Sequence, residues 1–315
     1  MGTVAGKLVK EKWYVTYGFR GVEAEMMYST TADVKRVVKP RRIDSSKRDF
    51  GCLLIVGGSD VYSGAPALAG LAALRTGCGL VVLAAPEPVA GAIRAYSPNL
   101  IVHALSSRVI TARDLDKLSN LFLSSTALVL GPGIGQDPET KDVVPQIIEL
   151  AGQRKKPLLI DADAIRALAG RQEYLRRSSP VITPHAGEFK AISGIAPPNG
   201  WKARAPLCKK FAAEHSCTVL LKGHDTVISD GRRVKINPTG NPGMAVGGMG
   251  DVLSGTIGAF LAQGTPTFEA AVAGAYVHGL AGDIVLKRKG FHMLASDLVE
   301  ALPEALKKHD RVLPA

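Results

Sequence analysis

The stretch CLLIVGGSDVYSGAPALAGLAALRTGCGLVVLAAP, residues 52–86, holds two short apolar runs, CLLIV (52–56) and GLVVLAAP (79–86), with a helical segment from Ala65 to Gly77 between them. Uninterrupted apolar runs of this length fit strands covered on both faces rather than strands with one wet side. Strand, helix and second strand make the repeating unit of a parallel sheet whose crossovers lie on its faces. The rhythm continues through LIVHAL (100–105), TALVLGPGIG (126–135), KPLLIDADA (156–164), SPVITPHAGE (179–188) and CTVLLKG (217–223), each ending in or near a glycine, proline or polar residue. The expected fold is therefore α/β, a central mostly parallel sheet with helices on both faces. Ligands of such sheets bind beyond the carboxyl ends of the strands. No repeat or linker divides the chain, so one domain is expected over residues 28–315, preceded by an arm, residues 1–27, that lacks the strand-helix rhythm.

The chain has 315 residues, 46% hydrophobic and 21% charged, which is ordinary for a globular enzyme and far from disorder. No apolar run approaches the roughly 20 residues of a membrane span, and the opening MGTVAGKLVKEKWYV has no signal-peptide core. A cytoplasmic protein with no membrane partner is expected. The four cysteines show no CxxC spacing, which favours buried thiols over a metal cage or disulfides. The net charge of +11 comes from scattered basic pairs and triplets and one denser run from Lys35 to Arg48, and aromatics are only 5%. That pattern favours a surface attracting small anions over a nucleic-acid platform.

One segment concentrates backbone freedom. NPTGNPGMAVGGMGDVLSGTIGAFLAQG, residues 237–264, has eight glycines in 28 positions and runs into an apolar helix expected to begin near Asp251. Unpaired N–H groups at a helix start attract anions, and glycines let an anion approach them. Gly247, Gly248 and Gly250 thus read as an anion cradle, with Asp251 placed either to take a proton or to cap the helix.

The order IVGGSDVYSGAP, ALRTGCGLVVLAAP, LVLGPGIG, LLIDADAI, ITPHAGEF, LLKGHDTVISDG and the glycine-rich segment resembles the ADP-dependent NAD(P)H-hydrate dehydratase family of the ribokinase-like superfamily. The resemblance spans about residues 28–308. Many members carry an N-terminal epimerase domain, for which this chain as given has no room. The resemblance implies a ribokinase-like fold and dehydration of hydrated NADH or NADPH (NADHX, NADPHX) with ADP as co-substrate, Mg²⁺ as cofactor, AMP and phosphate as products, and a homotetramer. It implies Asp251 as catalytic base and also as a substrate contact. Ala65, Gly133, Gly135 and His185 are implied on the NAD(P)HX side, and Lys222, Gly223, His224, Asp225, Thr226, Asn241, Gly248 and Gly250 on the nucleotide side. His185 fits equally a helix cap. Asp161 and Asp163 fit either orienting Mg²⁺ through water or capping the next helix, and neither is assigned as a metal ligand. The competing readings are an ATP-dependent small-molecule kinase of the same fold and a basic nucleic-acid-binding module.

Overall fold

The computed structural model describes residues 27–314. A helix α1 (Thr31–Val37) and a short strand β1 (Arg41–Arg42) lead into β2 (Cys52–Val56), α2 (Gly64–Arg75), β3 (Leu80–Ala85), α3 (Glu87–Tyr96) and β4 (Ile101–Ala104). The chain then runs through α4 (Leu115–Ser124), β5 (Ala127–Leu130), α5 (Pro138–Gln153), β6 (Leu158–Ile160), α6 (Asp163–Ala167), α7 (Leu175–Ser178) and β7 (Val181–Ile182). Next come α8 (Ala186–Ser193), α9 (Trp201–His215), β8 (Thr218–Leu221), β9 (Thr226–Ser229) and β10 (Val234–Asn237). Last are α10 (Met249–Ala262), α11 (Thr267–Lys289), α12 (Ala295–Leu306) and β11 (Val312–Leu313). Each apolar run read as a strand contains one.

The main sheet has nine strands in the order β10-β9-β8-β7-β6-β5-β2-β3-β4. All neighbours from β8 to β4 are parallel, and β9 and β10 add antiparallel edge strands. Alternate side chains of one strand feed different layers. Leu53 and Ile55 of β2 join the core under α2, α10, α11 and α12. Leu54 and Val56 join the core under α4, α5, α8 and α9. Continuous burial on both faces is why these strands are apolar at every position.

The hairpin β9–β10 and the small parallel pair β1–β11 were not anticipated. Both strands of the small pair are exposed, and β10 is only half buried and mixes Lys235 with valine and isoleucine. Neither carries the apolar signature of the central strands. Tyr28 and Ser29 dock on β10 by a parallel bridge at Ile236, so the described chain joins the domain at its first residues. The arm expected at residues 1–27 lies outside the described residues except for Met27.

Two features place the site. The chain lays down β2, β3 and β4 outward, then returns to put β5 on the other side of β2. The connections leaving β2 and β5 therefore diverge to opposite faces, and the crevice between them is the switch point where α/β sheets take ligands. Second, α10 crosses α2 at backbone contact, since a Cβ on Gly255 would lie 2.0 Å from the Ala69 carbonyl oxygen. Only glycine permits that approach, so several glycines of the 237–264 segment serve packing and fix where α10 begins.

Candidate active site

At the switch point the loops after β2 and β5 touch. Gly58 N–H donates to the Pro132 carbonyl at 2.9 Å. A Cβ added to Gly133 would meet the Tyr62 carbonyl oxygen at 2.8 Å and the Ala65 Cβ at 3.0 Å, and one added to Gly135 would lie 3.5 Å from Ser59. Ala65, Gly133 and Gly135 thus share one crevice. His185 follows β7 as the N-cap of α8, its Nδ1 accepting from Gly187 N–H at 2.9 Å and Glu188 N–H at 3.3 Å. The capping reading of this histidine holds, yet the residue remains exposed at the strand end.

Glu188 links this side to the centre of the site. It is 5% exposed, receives the His185 N–H at 2.8 Å, and brings Oε2 to 3.7 Å from Lys222 Nζ. Lys222, at the end of β8, donates to Asp161 Oδ1 at 2.9 Å, and Ser254 Oγ donates to Asp161 Oδ2 at 2.6 Å. Burial alone would raise the Asp161 carboxyl, but Lys222 and the Ser254 hydroxyl outweigh it and hold the group below its ordinary value. For Lys222, burial works downward and the Asp161 and Glu188 carboxylates overcome it, so the ammonium stays charged. Asp161 is therefore the hub of the site, and it caps nothing, because the N-cap of α6 is Ala162.

The glycine-rich turn places Asp251 against this hub. The N-cap of α10 is Gly248, in the left-handed region at φ 89°, and the helix starts at Met249, so Asp251 stands at the third helical position and is not the cap. A Cβ on Gly248 would collide with Ala295 Cβ and Leu68 Cδ1, both at 2.8 Å. The first helical hydrogen bond runs from Val252 N–H to Gly248, which leaves the N–H groups of Met249, Gly250 and Asp251 without helical partners. Burial first and the neighbouring Asp161 second push the Asp251 carboxyl up to about 7, against the pull of Lys222. A carboxyl there changes protonation state near neutral pH, as a general base requires.

Beside it lies a cavity of about 440 Å³ lined by Lys222, Gly223, His224, Thr226, Asn241 and Gly250 among others. Six of the eight expected nucleotide residues meet there. Asp225 and Gly248 do not line it: Asp225 Oδ1 sits 3.2 Å from His224 Nδ1, and Gly248 is packed under Leu68 and Ala295. Asn241 Nδ2 donates to Asp283 Oδ1 at 3.0 Å, which ties the loop to α11. Sequence reasoning missed His278, whose ring pairs with the Met249 carbonyl at 2.9 Å and whose pKa burial pushes down to about 4, leaving it neutral. It also missed Ser254, which a one-turn spacing from Asp251 on a helix could have suggested.

Both oxygens of Asp161 are taken, and Asp163 lies 3.6 Å from Arg166. Among the described residues no cluster of three or more histidine, cysteine or acidic side chains forms a cage. Asp161, with both oxygens engaged, is already committed to Lys222 and Ser254. Nor is any helix among the described residues long and apolar enough to cross a membrane.

Residues 53–304, well over half of the chain, match the NAD(P)H-hydrate dehydratase family. The chain is 40% identical over 284 residues to the ADP-dependent (S)-NAD(P)H-hydrate dehydratase of Cenarchaeum symbiosum, covering 89% of this chain and 96% of that protein. It is 46% identical over 271 residues to the bifunctional NAD(P)H-hydrate repair enzyme Nnr of Pyrobaculum aerophilum, covering 85% of this chain and about half, 53%, of that longer protein. The solved ADP/ATP-dependent NAD(P)H-hydrate dehydratase of Bacillus subtilis, co-crystallised with ATP/Mg²⁺, superposes with a TM-score of 0.78 at 29% identity, covering 91% of this chain and 99% of that one. With this fold, this site and these relatives, the chain belongs to the NAD(P)H-hydrate dehydratase family and has its ribokinase-like fold.

Proposed function

We propose that the chain returns hydrated NADH and NADPH to the intact dinucleotides in an ADP-dependent dehydration. The observation that carries the reading is the carboxyl of Asp251, held near neutrality between the helix-start N–H groups and the Lys222–Asp161 pair, next to Gly250 in the wall of a cavity large enough for a nucleotide. A simple acid-catalysed loss of water needs no such anion cradle.

In this reading the crevice at Ala65, Gly133, Gly135 and His185 takes the hydrated dinucleotide, and the cavity at Lys222, Asn241 and Gly250 takes ADP. Asp251 accepts the proton of the ring hydroxyl as its oxygen attacks the terminal phosphorus of ADP. The P–O bond to AMP breaks, and the N–H groups of Met249 and Gly250 with Lys222 neutralise charge on the transferred group. The ring carbon–oxygen bond then breaks, phosphate leaves with the electron pair, and a proton lost from the adjacent carbon restores the double bond. Water, ring and phosphate balance as one dehydration per ADP converted to AMP and phosphate. Asp161 holds Lys222 in place throughout.

Mg²⁺ belongs to this reading as a companion of the nucleotide phosphates, held by them and by water, since Asp161 is already engaged. A homotetramer and a cytoplasmic location complete it, the first checked by light scattering on the purified protein. The test of the reaction is incubation with chemically hydrated NADH plus ADP, ATP or neither, following the return of dihydropyridine absorbance and the release of AMP and phosphate. Full turnover without nucleotide would overturn the reading.

A further inference from the structure

We propose a second anion site at the opposite pole of the sheet, a basic cavity that binds a phosphate-bearing small molecule. The cavity, about 390 Å³, opens where strands begin rather than end, between Phe50 ahead of β2, Gly77 ahead of β3 and the last turns of α2, α10 and α12. Lys39, Arg41, Arg75, Lys307 and Arg311 line it, against the single carboxylate of Asp310.

None of these five cations has a carboxylate within ion-pair distance among the described residues, whereas Arg233, Arg171 and Arg288 at comparable exposure elsewhere are paired. Arg41 is braced over the Phe50 ring at 3.8 Å and on the Gly77 carbonyl at 3.0 Å, and Arg311 donates to the Val38 carbonyl at 3.0 Å. These contacts orient two guanidinium groups without neutralising them. Arg75, Lys39 and Lys307 make no side-chain hydrogen bond within the described residues.

The plain alternative is that the cations serve the helix ends converging here, whose carbonyls favour positive charge. At two of the three ends those carbonyls are already closed. At the end of α2, Thr76, Gly77 and Cys78 N–H donate back to Ala72, Leu74 and Ala73. At the end of α10, Gln263, Gly264 and Thr265 N–H donate to Ala259, Leu261 and Phe260, and Thr126 Oγ1 donates to Ala262 at 2.7 Å. The ends of α2 and α10 therefore do not require Arg75 or Lys39 as caps, while Lys307 stands at the third helix end, that of α12, as its C-cap residue. An independent sign comes from Gln263, which lines the same cavity, is 7% exposed, and has an amide nitrogen with no hydrogen-bond partner. A buried donor without a partner costs free energy, which a turn of this amide toward the cavity and onto an anion's oxygen would recover. Cations, a stranded amide donor and room for more than one phosphoryl group fit a phosphate or diphosphate better than a carboxylate or a peptide.

The test is calorimetric titration of inorganic pyrophosphate at fixed ionic strength, separate from any turnover. The parent is expected to show two classes of site, of which Lys222→Met removes one and Arg75→Gln with Lys307→Gln removes the other, each weakening its own site at least about 10-fold, or 1.4 kcal/mol. Arg75 and Lys307 are exposed, so the double variant should melt with the parent. Inorganic phosphate and AMP, titrated alongside, separate a bare anion from a nucleotide-borne phosphate as the natural occupant. A single site in the parent, a double variant that binds pyrophosphate as the parent does, or sulfate binding as tightly as pyrophosphate would each overturn the proposal.

Discussion

Replacing Asp251 by asparagine should make the protein more stable and nearly inactive. Folding raises this carboxyl from 3.8 to about 7. A group raised in this direction contributes stability that is fully present below its unfolded pKa and lost as pH rises through the folded one. Above about pH 7 the native state must hold an ionised carboxylate beside Asp161 in a partly desolvated place. The displacement is about 3 pKa units, and at 1.36 kcal/mol per unit its upper bound is about 4 kcal/mol. Asp251 keeps some solvent access and Lys222 screens it, so about 2 kcal/mol is the expected cost at pH 8. Asparagine keeps the shape without the charge. The variant should therefore melt roughly 4–8 °C above the parent at pH 8, by about half that margin at pH 5.5, and level with it below about pH 4. Since Gly248 supplies the cap, no capping bond is lost. Turnover of hydrated NADH should fall by roughly 10²–10⁴, because an amide cannot take the hydroxyl proton. The parent's kcat/KM should decline below about pH 7 as Asp251 takes up its proton. Scanning calorimetry across pH, with turnover assays on the same samples, checks both halves. A variant that melts below the parent at pH 8, or turns over within a few-fold of it, would refute the placement of Asp251 as a strained base.

Asp161→Leu breaks a buried pair and strands Lys222, so a stability loss of about 3–5 kcal/mol is expected in denaturant unfolding, with nucleotide affinity falling as Lys222 moves. Gly248→Ala meets both a left-handed backbone and two contacts at 2.8 Å, and should cost about 1–3 kcal/mol in the same assay. Gly250→Ala has room, its nearest neighbours being Lys222 Nζ at 3.6 Å and Asp161 Oδ2 at 3.9 Å, and alanine is the better helix former by about 1 kcal/mol. It should therefore fold at least as well as the parent yet lose activity about 10-fold or more, because the new methyl group stands where the phosphoryl group is expected. Removing Met1 to Glu25 should leave turnover unchanged, since the described docking onto β10 begins at Tyr28, and an inactive truncation would make the arm part of the working protein.

The central strands were legible in the sequence because a strand buried on both faces has no polar positions to disguise it, and Leu53 through Val56 show this at single-residue resolution. The glycine-rich turn before α10 was legible for a similar local reason: left-handed backbone and close helix contact both exclude side chains, whatever surrounds them. The hairpin β9–β10 was not, because β9 is only four residues with Thr226 and Ser229 at its ends, and β10 at the sheet edge is half buried and carries Lys235, so the apolar signal is short in one and broken in the other. The site residues divide along the same line. Their existence at strand and helix ends followed from local pattern, but their chemistry did not. Asp251 owes its place near neutrality to burial and to Asp161 at the end of β6, and Lys222 and Ser254 reach that same carboxylate across 61 and 93 residues of chain. Charge and desolvation depend on what stands within a few ångströms in space, and only the folded chain decides which distant residues those are.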